Sequence, residues 1–113
     1  MAFETTVKVT GDNVVYQFNP KLKPYALGDT GFVKNNAGSY VMKRSLEPEK
    51  GLDNAIKLKV VVDKALTGIK IKTVNPSGNA TVNIFKHKQH EELEKMYRFY
   101  LNELIDREII KMK

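Results

Sequence analysis

The sequence predicts an α+β protein in which two antiparallel β-sheets pack against a single long C-terminal helix. Three observations predict it. The first three-quarters of the chain alternates apolar and polar residues with the period of half-buried strands, punctuated by turn residues. The last quarter carries one helical pattern whose apolar arc covers well over half the circumference, against the stripe a little over ~100° wide that an ordinary surface helix needs. Such a helix is packed from more than one side, and the partners the chain supplies are sheets. Helices also do not alternate with strands, and no glycine-rich turn links a strand to a helix. That argues against a doubly wound parallel sheet and its nucleotide site.

The elements follow in order. Phe3, Thr5, Val7 and Val9 alternate with Glu4, Thr6, Lys8 and Thr10. Gly11-Asp12-Asn13 is a turn signal, and Val14, Tyr16 and Phe18 resume the alternation, so residues 3–18 read as a hairpin. Asn19–Gly31 holds Pro20, Pro24, Gly28 and Gly31, which remove ladder donors and relax the backbone; this reads as a long loop. Phe32–Lys34 and Ser39–Leu46 are short strands. Ile56, Leu58, Val60 and Val62 point one way while Lys57 and Lys59 point the other. Ile69 and Ile71 repeat the pattern against Lys70 and Lys72, and Val82 and Ile84 extend it beyond the Asn75-Pro76-Ser77-Gly78 turn. The result is an antiparallel meander of three strands with one wet face.

The helix is expected over about Gln89–Met112. Leu93, Met96, Tyr97, Tyr100, Leu101, Leu104 and Ile105 form its arc, and Phe99 widens it. Acids lead and bases close it, matching the helix dipole. Glu91–Lys95, Glu94–Arg98 and Glu103–Arg107 have the spacing and order of stabilising surface pairs. No Ser, Thr, Asp or Asn stands at its start as a cap. After Asp106 the pattern breaks, and Ile109, Ile110 and Met112 fall off the arc. A helix of this length, roughly 36 Å, would cross the whole molecule.

Length and composition bound the rest. With 113 residues, residues 1–113 are expected to form one domain with a radius of gyration of roughly 13 Å. The chain lacks cysteine, which excludes disulfides, thiolate zinc sites and cysteine nucleophiles. No apolar run approaches the ~18 residues of a membrane span, and Met1–Thr5 has neither the basic start nor the apolar stretch of a signal peptide. The expectation is a cytoplasmic protein without a membrane partner. The net charge is +6, and because the segment from Lys88 onward is neutral, the excess lies in the first 87 residues. A basic surface attracts nucleic acid or phosphorylated metabolites, and it also keeps a small domain soluble.

The Phe3–Thr10 strand, the run Ile56-Lys57-Leu58-Lys59-Val60-Val61-Val62 and the helix beginning near His90-Glu91-Glu92-Leu93 carry a resemblance that spans the full chain. Together they resemble a small bacterial domain-of-unknown-function family that bears a label of amino-acid metabolism. The resemblance implies two antiparallel sheets against one helix. It also implies an accessory or small-ligand-binding role in amino-acid metabolism, with the sulfur branch as one setting. The family is remotely similar in architecture to prokaryotic S-adenosylmethionine decarboxylases, which cleave themselves at a Glu-Ser bond to make a pyruvoyl group and use a nearby His and Cys. Here Ser39, Ser45 and Ser77 follow Gly38, Arg44 and Pro76, and cysteine is absent. Without the pyruvoyl carbonyl nothing holds the carbanion of decarboxylation, so that activity is not expected. No catalytic constellation is recognisable, no cofactor is implied, and whether the protein is an enzyme stays open.

Three sets of residues are candidates for binding. Lys21, Lys23, Tyr25 and Asp29 in the Asn19–Gly31 loop bring cations, an aromatic ring and a carboxylate, the parts that hold an amino-acid-like small molecule. Lys57, Lys59, Lys70 and Lys72 share a sheet face if their strands pair, a patch suited to phosphate or nucleic acid, with Phe85 as its one prospective stacking ring. The plain alternative is a solvated face whose like charges discourage edge-to-edge association. His87 and His90 have a spacing that suits a metal, but no third ligand is fixed, so no metal site is expected. Finally, Ile109, Ile110 and Met112 form an apolar cluster beyond the helix arc. It fits either a homodimer contact or packing on the N-terminal hairpin.

Overall fold

A computed structural model describes residues 3–113. Among them the strands are β1 (Thr6–Val7), β2 (Tyr16–Phe18), β3 (Val33–Lys34), β4 (Tyr40–Ser45), β5 (Lys57–Val62), β6 (Ile69–Val74) and β7 (Ile110–Met112). The helices are α1 (Pro24–Asp29) and α2 (His90–Asp106). The strands form two antiparallel sheets, of order β1-β2-β7 and β3-β4-β5-β6. Before β1, Glu4 and Ile69 exchange backbone hydrogen bonds of 3.1 and 2.9 Å, which tie the smaller sheet to the β6 edge of the larger.

The alternation read from the sequence decides which face is dry. On the larger sheet Met42, Leu58, Val60, Val62, Ile69 and Ile71 are buried. They join Leu93, Tyr97, Leu101 and Leu104 of α2 in one core. These four helix residues are each no more than 1% exposed. Met96, Tyr100 and Ile105 pack partly against the same core, whereas Phe99 is 59% exposed and lies outside the arc expected of it. The radius of gyration is 13.2 Å.

Four expectations need correction. Asn19–Gly31 is not a plain loop, because α1 occupies its second half. Pro24 stands at the first turn, where its missing N–H is no loss, and Ala26 and Leu27 are buried. The third strand of the meander is reduced to one bridge, Val74–Thr81, followed by a 3-10 turn over Ile84–Lys86. Side chains take the groups a ladder needs: Thr73 Oγ1 donates to the Val82 carbonyl at 2.6 Å, and Asn83 Oδ1 accepts from the Phe85 amide at 3.0 Å. α2 stops at Asp106 and does not reach Met112, so at about 26 Å it is shorter than the 37 Å long axis. The expected ion pairs along it are also absent among the described residues. Arg98 turns to Asp12, Arg107 to Asp29, and Glu94 to His90.

The chain beyond α2 explains the apolar tail. Ile110–Met112 becomes β7 and pairs with β2, Phe18 opposite Ile110 and Tyr16 opposite Met112. Ile109 and Ile110 are fully buried in the protein's own core, and only Met112 stays exposed. A homodimer through this end has therefore lost the apolar cluster that motivated it.

Candidate functional site

Polar chemistry gathers at three places. The first joins the β1–β2 loop to α2. Asp12 is buried, and its Oδ1 accepts from the Val14 amide at 3.0 Å and from Arg98 Nη2 at 2.6 Å. Its Oδ2 accepts from Arg98 Nη1 at 2.8 Å and from the Tyr97 hydroxyl at 2.7 Å, and Arg98 Nη1 also donates to the Tyr16 hydroxyl at 2.7 Å. The guanidinium lies over the rings of Tyr97 and Phe85, which meet edge to face. Burial alone would raise the Asp12 pKa, but the Arg98, Val14 and Tyr97 donors outweigh it and hold the carboxyl below its ordinary value. Burial, and then the bond to Asp12, push the Tyr97 hydroxyl far above its own. Gly11 closes the loop at φ +86°, and a Cβ there would collide with the Asn83 side chain. Every polar atom named in this cluster has a protein partner, so it works as a clasp.

The second place is a cleft of about 230 Å³ between the Leu46–Glu49 corner and the first turns of α2. Leu46, Leu93 and Met96 give it apolar walls, while Glu47, Glu92 and Lys95 bring both signs of charge. Glu47 is the built part, with a side chain only 6% exposed. Its Oε1 accepts from the Ile56 amide at 2.8 Å and its Oε2 from Lys50 Nζ at 3.1 Å. Burial opposes the charge of Glu47, but the Ile56 amide and the Lys50 ammonium prevail and keep its pKa below the usual carboxylate range. In the sequence Glu47-Pro48-Glu49 reads only as a break in the strand pattern, and its spacing carries no sign that Glu47 turns inward.

The third place is the outer face of the larger sheet. Lys59 and Lys72 are direct cross-strand partners there, and Lys43 stands opposite Lys59 on its other side. Lys70 lies next to Val61 on the same face. Lys57, expected in this patch, is instead 7% exposed opposite the buried Val74, at the covered end of the sheet. Phe85 does not face these lysines but belongs to the Arg98 clasp.

Residues 1–111 match the DUF1831 family, described as "Putative amino acid metabolism". The chain belongs to the DUF1831 family. The crystal structure of a DUF1831 protein from Lactobacillus plantarum at 1.20 Å resolution is similar to it, with a TM-score of 0.90 and 41% identity over 100% of this chain and 99% of that one. No curated protein matches. The two sheets and single long helix are thus an architecture shared within DUF1831.

The remaining sequence candidates of this DUF1831 chain do not line the three places, although His87 stands near enough to Glu47 to favour its charged form. Lys21, Lys23, Tyr25 and Asp29 all sit on or just before α1 and are exposed, Tyr25 by 72%. Asp29 meets Arg107 at 3.6 Å. His87 Nδ1 accepts from the Gln89 amide at 3.0 Å, and His90 Nδ1 lies 2.9 Å from Glu94 Oε2. Each histidine thus spends its Nδ1 on a neighbour at the start of α2.

Proposed function

We propose that the protein serves amino-acid metabolism by binding a free amino acid with an apolar side chain in the cleft between the Leu46–Glu49 corner and α2. The observation that carries this reading is the buried Glu47 carboxylate, kept ionised in a cleft that is otherwise apolar inside and bears charges of both signs. A zwitterion needs that combination. Its ammonium group finds Glu47 or Glu92, its carboxylate finds Lys95, and its side chain finds Leu46, Leu93 and Met96. At about 230 Å³ the cleft is below the roughly 300–1,000 Å³ that holds larger ligands, which favours a single residue-sized molecule. Methionine suits it best, because an unbranched thioether adapts to an irregular wall that already contains Met96. The family description supports the metabolic setting.

Isothermal titration with methionine, leucine and glutamate tests the reading. Methionine and leucine are expected to bind and glutamate is not, and Lys95→Gln and Glu92→Gln are each expected to weaken methionine by about tenfold, the cost of one charge-assisted contact. Absence of heat at millimolar methionine, or an affinity in both variants equal to that of the wild type, would reject it.

A further inference from the structure

We propose that the outer face of the larger sheet is a docking surface for single-stranded nucleic acid, gripped along its phosphate backbone without sequence reading. The register sets Lys43, Lys59 and Lys72 side by side across β4, β5 and β6, with Lys70 one step along. Like charges directly opposite one another on a sheet destabilise it, so the arrangement calls for an anion. Among the described residues no acid pairs with any of these four lysines. Lys70 is instead steadied from beneath by Phe3, whose ring centroid lies 4.4 Å from its ammonium.

Three adjoining grooves surround them. One open groove of about 530 Å³ runs from Gly31 and Val33 to Lys43 and Lys59. A small one of about 80 Å³ continues from Lys59 to Lys72 beneath the Gly78–Thr81 turn. A third of about 450 Å³ leads from Lys72 and Lys70 over the β6 edge to Lys8, with Glu4 as the one acid along it. Neighbouring grooves share Lys59 and Lys72, so the track crosses all four strands, about 14 Å at the usual strand spacing. Cations in line along open grooves match phosphates in series; a compact anion calls for cations that converge. The lining contains aliphatic Val33 and Val41 and no aromatic ring, so bases are not stacked and affinity comes from charge.

Fluorescence anisotropy with a labelled twelve-nucleotide oligo-uridylate tests the proposal. Contacts from Lys43, Lys59, Lys70 and Lys72 predict a slope of log K against log salt of about −2.8, a loss of roughly 50-fold between 50 and 200 mM salt. Lys59→Gln with Lys72→Gln should halve that slope, while Lys21→Gln with Lys23→Gln, an equal charge loss on the α1 side, should leave it nearly unchanged. If the first pair melts early by circular dichroism, Lys43→Gln at the exposed end takes its place and should remove a quarter of the slope. A slope shallower than −1, or equal effects of the two double variants, overturns the proposal. So does displacement of the oligonucleotide by equimolar ATP, or tighter binding of a duplex of the same length.

Discussion

Arg98 shows how a single side chain is claimed by the strongest bidder within reach. Helical spacing assigns it to Glu94, a surface pair worth about 0.3–0.5 kcal/mol. In the fold it makes a two-pronged contact with the buried Asp12, 86 residues away in sequence, a stronger bond because both partners are aligned and one is dry. Asp12→Asn keeps the shape and removes the charge. It is expected to cost about 2–4 kcal/mol in a urea melt at pH 7, below the full cost of a broken buried pair because Arg98 keeps partial access to water. The pH dependence has a definite sign. Folding lowers the Asp12 pKa, so its contribution is complete above the unfolded value of about 3.9 and is lost as pH falls through the lower folded value. Urea melts at pH 7, 4 and 3 should show the gap between wild type and Asp12→Asn closing at the acid end, and a gap that is constant with pH would contradict the clasp. The turn at Gly11-Asp12-Asn13 was legible in the sequence. The identity of its partner was not, because nothing local distinguishes a turn aspartate that faces water from one that meets a helix across the core.

At the scale of elements, legibility followed the length of the pattern. β5 and β6 were evident because six-residue strands with lysine on alternate positions leave one reading. α1 was hidden by its own composition, since proline and glycine signal a loop unless the proline falls in the first turn. β7 was hidden because Ile109, Ile110 and Met112 continue a helical run on paper. What stops α2 is its end geometry. The Ile109 amide donates back to the Leu104 carbonyl at 2.9 Å and the Glu108 amide to Ile105 at 3.0 Å, with Glu108 left-handed at φ 58° between them. This is the paired-bond stop that usually employs glycine, and buried Leu104 and Ile109 supply its apolar contact. Glutamate is an awkward occupant of that conformation. Glu108→Gly is therefore expected to stabilise the protein by about 0.5–1 kcal/mol, less the entropy that glycine adds to the unfolded chain, visible as a Tm raised by a few degrees. An unchanged or lower Tm would mean the strain has been relieved elsewhere. None of the three polar sites was legible as a whole. The lysine alternation was, but Lys43 joined it only through strand pairing, and the covered end of the sheet withdrew Lys57.

At the scale of the molecule, α2 shares one core with both sheets, and Leu104 stands in it fully buried. Leu104→Ala should cost about 2–5 kcal/mol in a denaturant melt, and a loss below ~0.5 kcal/mol would show that the helix is not the core element described. The sheet order β1-β2-β7 has a further consequence, for the time the chain takes to fold. Gln17 pairs with Lys111, 94 residues away, whereas Val62 and Ile69 at the β5–β6 hairpin are only 7 apart. Closing the longer loop costs about 2 kcal/mol more in chain entropy by the logarithmic rule, before any contact offsets it. The hairpins of the larger sheet can therefore assemble early from neighbours, while the smaller sheet waits for a strand from far down the chain. The last strand to arrive is also the one that completes the burial of Ile109 and Ile110. β7 is thus expected to join late in folding, and hydrogen exchange should find β7 opening well before β5.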